Sequence, residues 1–127
     1  IAQFDVQFKN SKEKAIASVT ISYLNLSDCY IKLSDFNMAG ECLEDAFEFM
    51  NTITTNCERT KNIKLNTFSK ILFEWNNFIQ KYGASLNKTR LIRFNKNRGV
   101  LSQSIQIMRT AETMTHSKDA FSSHLLH

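Results

Sequence analysis

The sequence predicts an all-α protein of antiparallel helical hairpins, arranged as a four-helix bundle or a short α-solenoid segment. Three observations carry that prediction. Proline is absent from the 127 residues and glycine occurs only at positions 40, 83 and 99, too few turn formers for the many reversals of a β-sandwich or barrel. Apolar residues recur at three- and four-residue steps over four separate stretches. The break between the first two stretches is so short that their helices must run antiparallel. A chain of this length suits one domain, 1–127, that buries about two thirds of its unfolded surface.

Residues 1–10 place Phe4, Val6 and Phe8 at alternating positions, the pattern of an extended arm, although the end of a preceding helix would fit as well. The first helix is expected from about Ser11 to Leu33, with Ser11 as N-cap and Ile16, Val19, Tyr23, Leu26, Tyr30 and Leu33 on its inner face. Ser34-Asp35 breaks it, and Asp35 caps a second helix reaching about Asn56. Phe36, Ala39, Leu43, Ala46, Phe47 and Met50 form the apolar stripe of that helix. Gly40 costs a helix interior about 1 kcal/mol against alanine, a cost that makes sense if another backbone passes close by.

Residues 57–66 read as a polar, basic connector. A third helix follows from about Leu65 to Tyr82, burying Phe68, Leu72, Trp75, Phe78, Ile79 and Tyr82, and Gly83 suits a left-handed cap. The last helix starts near Leu86 and runs toward Met114 with Leu91, Phe94, Leu101, Ile105 and Met108 inside; Gly99 is expected to bend or break it. From about Thr115 to His127 the periodicity weakens, as in a fraying tail.

Charge divides the chain. Residues 1–58 carry nine acidic and four basic side chains, and residues 59–127 carry twelve basic and three acidic, which together make the formal net charge of +4. Either a basic face awaits an acidic partner or a phosphate backbone, or the two halves neutralise each other within the fold. The candidate face is the run Lys88, Arg90, Arg93, Lys96 and Arg98, which has no acid inside it. Set on a helix it could bind an acidic protein or, in a salt-sensitive way, nucleic acid. No nucleic-acid module signature accompanies it.

Chemistry of other kinds finds little support. His116, His124 and His127 lie in the tail, no hydrolase or phosphate-cradling motif occurs, and neither a metal nor a cofactor is expected. Cys29, Cys42 and Cys57 have no metal-ligand spacing; they read as reduced thiols of a cytoplasmic or nuclear protein, or as one disulfide and one free thiol in a secreted one. Asn25-Leu26-Ser27 and Asn87-Lys88-Thr89 are glycosylation sequons that chance alone would supply, Asn87 being the more credible acceptor. No apolar run reaches the about 18 residues of a membrane span. The chain opens at Ile1, as expected of a processed product or an excised piece.

The most specific local pattern is Tyr23, Leu26, Ser27 and Tyr30 followed by Phe36, Ala39, Leu43 and Ala46. Large residues on each helix face small ones on the other, so the axes come close. Over about residues 20–50 this resembles one tetratricopeptide repeat or a SNAP-like helical hairpin. Ser27 stands at the family's small position, the repeat-ending proline is missing, and a shift of about 34 residues gives Lys64, Phe73 and Gln80, no second repeat. The resemblance implies a scaffold that binds a peptide or helix on a concave face; no contact residue carries over. The function expected is a non-enzymatic protein-interaction domain, for another protein or its own copy. The alternatives are a secreted four-helix cytokine- or effector-like protein and, more weakly, a nucleic-acid binder using residues 88–98.

Overall fold

The computed structural model describes the backbone of residues 2–125 and the side chains of residues 12–111. Four helices account for almost all of it: α1 (Ala2–Lys32), α2 (Phe36–Asn51), α3 (Glu58–Tyr82) and α4 (Lys88–Leu125). No strand occurs among the described residues. The protein is all-α. α1 packs on α2 and α3, α2 on α3 and α4, and α3 on α4, whereas α1 and α4 are not comparable neighbours. The molecule is therefore two hairpins stacked side by side, with α2 and α3 in the middle.

The N-terminal arm is not extended. Residues 2–10 form the opening turns of α1. Three alternating apolar residues with no partner strand cannot hold a ladder, and no proline or glycine separates them from the helix that follows. The start of α3 moved in the same direction: it begins at Glu58, so most of the expected connector is helical and only residues 52–57 link α2 to α3. α4 likewise keeps a helical backbone past Met114, to Leu125.

The first reversal is made by Leu33, Ser34 and Asp35. Ser34 adopts φ 59°, the one left-handed non-glycine residue described. Its amide donates to the Ile31 carbonyl at 2.9 Å and that of Asp35 donates to Tyr30 at 2.8 Å, the paired bonds of a Schellman ending. Asp35 then turns donor site into cap: its Oδ1 accepts from the Met38 amide at 3.2 Å and opens α2. One residue closes one helix and starts the next.

Gly83 does not take the left-handed cap expected of it. It stays right-handed, with φ −56° and ψ −38°, because the chain tightens into a 3-10 turn over Gly83–Ser85 in which the Leu86 amide returns to the Gly83 carbonyl. Asn87 opens α4, its Oδ1 accepting from the Arg90 amide at 2.8 Å. Gly99 does not break that helix; it is exposed, and a Cβ there would meet nothing within 4 Å.

The core combines Ala39, Leu43, Ala46, Phe47 and Met50 of α2 with Phe68, Ile71, Trp75 and Phe78 of α3 and Phe94, Leu101 and Ile105 of α4. Edge-on ring contacts join Phe47 to Phe68 and Trp75, and Trp75 to Phe94, at centroid separations of 5.5–6.5 Å. Gly40 is explained here, though not by a backbone. A Cβ on it would lie 2.6 Å from Cε2 and Cζ of Phe94, so the glycine makes room for a fully buried ring of α4.

α1 meets this core differently. Its buried line is Ile16, Thr20 and Ser27, with Tyr23, Leu24, Tyr30 and Ile31 half-buried around them. The Ser27 hydroxyl donates to the Ala39 carbonyl at 2.9 Å and Thr20 to its own helix at Ile16. Leu26 and Leu33, expected inside, are 46% and 75% exposed. The helix is rotated by about one residue step so that small hydroxyl residues, not leucines, face α2.

Candidate functional site

The basic run lies on the first turns of α4, where Arg90 and Arg93 reach acids of α2 and Arg98 reaches α3. Arg90 Nη1 lies 2.8 Å from Glu41 Oε1; Arg93 Nη2 lies 2.9 Å from Glu44 and 3.8 Å from Glu41. Asn97 adds a bond to the second oxygen of Glu44, whose side chain is only 12% exposed. The Arg93 guanidinium also covers the Phe94 ring at 5.0 Å. Arg98 donates to Asn76 of α3 at 3.1 Å. Lys88 and Lys96 alone of the five are exposed without an ion pair or hydrogen bond among the described residues.

Part of the opposite charge in the two halves of the chain is thus paired within the fold. Pairs this exposed contribute about 1 kcal/mol or less each, and their main effect is to set how α4 lies along α2. The same holds at the far end of α1, where Arg59 of α3 is bonded to Glu13.

A different cluster emerges where α1 and α3 run parallel. Between them lies a groove of about 390 Å³. Leu24, Ile31, Leu43, Phe78 and Tyr82 give it an apolar floor. Asp28 and Lys32 rise on the α1 side, Glu74, Asn77 and Lys81 on the α3 side. None of the four charged groups makes an ion pair among the described residues. Their order along the parallel helices puts the two carboxylates at one level and the two ammonium groups further on, toward the ends of α1 and α3. Such a slot offers apolar surface between charges of opposite sign.

Sequence reasoning missed this groove because it joins residues some fifty positions apart. The only local signal was that Asp28 and Lys32 are the sole charged residues between Ala15 and Leu33, on one side of α1.

The thiols differ among themselves. Cys29 and Cys57 are exposed and Cys42 is buried in α2, and no disulfide joins Cys29 to Cys42. Burial pushes the Cys42 thiol above its ordinary value, and the carboxylates of Asp45 and Glu41 push the same way. Of the sequon asparagines, Asn87 is bound up as the α4 cap, and Ser27 of the other sequon is buried. The three histidines fall outside the residues whose side chains are described, and no helix of the described chain is long and apolar enough to cross a membrane. Set against family models, curated proteins and solved structures, the chain matches none of them.

Proposed function

We propose that this is a non-enzymatic protein-interaction domain, of a scaffold or adaptor kind, whose α1/α3 groove receives a short segment of another protein. One observation carries the reading: the groove combines an apolar floor with four charged side chains that make no ion pair among the described residues. A ligand of matching pattern gains area burial from the floor and orientation from the charges. The segment that fits is amphipathic, with acidic groups toward Lys32 and Lys81 and basic groups toward Asp28 and Glu74. The packing order of the helices, with α1 against α3 and α2 against α4, is that of consecutive tetratricopeptide-like hairpins and supports the same reading. A cytoplasmic or nuclear setting goes with a chain whose Cys29 and Cys42 form no disulfide with each other.

The basic run is a weaker candidate, for nucleic acid or for an acidic protein, because three of its five members already serve internal partners. The test is a binding screen of a short-peptide library against the intact chain. Peptides selected should be amphipathic, and their binding should vanish in Lys32→Glu/Lys81→Glu while surviving in Lys88→Glu/Lys96→Glu. Binding that follows the second pair instead would move the site to α4 and end the groove proposal.

A further inference from the structure

The groove does not stop where its charges stop. Leu24, Asp28 and Ile31 set its α1 wall, and the same three- and four-residue steps carry that row back through Ile21 to Ala17. Glu74 and Asn77 set the α3 wall, and its row runs back through Lys70 and Thr67 to Ile63. Each residue of the second row lies 46 positions after its counterpart in the first, the separation of Glu13 and Arg59, which are bonded to each other across the two helices. Beside Ile63 the seam opens again, in a depression of about 30 Å³ against Ile16 of α1. Between the two openings the α1 row carries no charge, and its Ile21 is 47% exposed. On the α3 row Lys70 is the one charged residue below Glu74. Groove and depression are two parts of one seam, about 24 Å long from Ile16 to Lys32 at 1.5 Å per residue.

On the reading of the groove as a binding site, we propose that the whole seam takes one amphipathic helix of a partner protein, antiparallel to α1 and α3. That helix enters with an acid beside Lys32 and Lys81 and sets a base one turn later between Asp28 and Glu74. It then lays an apolar stripe of about two heptads down to Ile16 and Ile63.

The form follows from the walls. Both are helices whose backbone groups are bonded within themselves, so an extended segment finds no main-chain partner there, whereas a helix brings its own. α2 is the precedent. At 16 residues it lies along the same two helices from beneath, and its Leu43 shows in the groove floor. The direction follows from charge. α1 and α3 both end at the lysine end of the seam, so an antiparallel ligand sets its positive N-terminus beside their C-termini and its own C-terminus near Lys12. Its acid then precedes its base by one turn, the order that also stabilises the free helix.

The probe is a synthetic peptide with glutamate in its first turn, lysine four residues on, and then four leucines at the three- and four-residue steps of the walls. It is titrated against the intact chain by fluorescence anisotropy. Lys32→Glu/Lys81→Glu and Ile21→Glu should each weaken binding by about tenfold or more, with the helical dichroism of the chain unchanged because all three side chains are exposed. A nitroxide on the peptide N-terminus should broaden the amide signals of Lys81 and Tyr82 and spare those of Arg59 and Thr60. Loss with the lysine pair but not with Ile21→Glu keeps the groove as a site and overturns the seam-long helix. Binding that neither variant weakens overturns both readings. No binding at all overturns the helix, while the peptide selection described above decides the groove. Broadening at Arg59 and Thr60 instead overturns the antiparallel direction.

Discussion

The two hairpins are locked by opposite means. Between α1 and α2 the buried line on the α1 side is made of small residues: Thr20 lies against Met50, and the Ser27 hydroxyl reaches the Ala39 carbonyl across the gap. Between α3 and α4, and from α3 to α2, the contact is ring against ring, with the buried Trp75 set edge-on to Phe47 and Phe94. Small-residue contacts gain little from area and depend on close approach; ring contacts gain from area and tolerate distance. The first kind should be sensitive to added volume, the second to lost volume.

The largest effect is expected where the rings meet. Trp75→Ala or Phe94→Ala should cost about 3–5 kcal/mol, read by urea titration, and unfold the second hairpin most readily. An overpacking substitution on the other side, Ala39→Leu, should cost about 1–3 kcal/mol because Ala39 has no exposed surface and the Ser27 bond crosses beside it. Were the truncations mild and the overpacking severe beyond them, the contrast between the hairpins would have to be reversed.

The glycines sharpen the same contrast. Gly40→Ala gains helix propensity but drives a methyl into the Phe94 ring, for a net loss of about 1–2 kcal/mol. Gly99→Ala meets empty space on an unbroken helix and should stabilise by about 0.5–1 kcal/mol. Opposite signs from the same chemical change, measured side by side in melting temperature, would establish that Gly40 serves packing and Gly99 does not. Ser27→Ala should cost about 1 kcal/mol, the ordinary worth of one hydrogen bond.

The smallest effect concerns Cys42. Its thiol stays protonated in the fold at pH values where an unfolded chain would ionise it, so stability is intact below the ordinary thiol range and declines as pH rises through it. In native protein Cys29 and Cys57 should be alkylated first, with Cys42 reacting only on unfolding, as mass spectrometry would register.

Much of the fold was readable from residue patterns, because α2, α3 and most of α4 bury the large apolar residues that periodicity selects. The reading failed where size and polarity mislead. On α1 the leucines advertise a core face, but the fold chose Thr20 and Ser27, since only small side chains let α2 approach. The polar opening of α3 carries no apolar stripe and passed for a loop, and it is helical through continuity with Phe68 and Ile71 behind it. For the site, reading along the chain favoured a cluster of neighbours, Lys88 to Arg98, and could not place Glu41 and Glu44 beside it. Charge balance between the halves was the clue that those arginines face inward.

The reversal at Ser34 bears on the order of events during folding. A connection so short closes at minimal entropic expense, and every bond in it is local in sequence. The α1/α2 pair should therefore form ahead of the ring-lined second pair, whose docking on α2 joins residues about fifty positions apart. Substituting Asp35 would then slow refolding about as much as it weakens the native state, whereas substituting Trp75 would act chiefly by hastening unfolding.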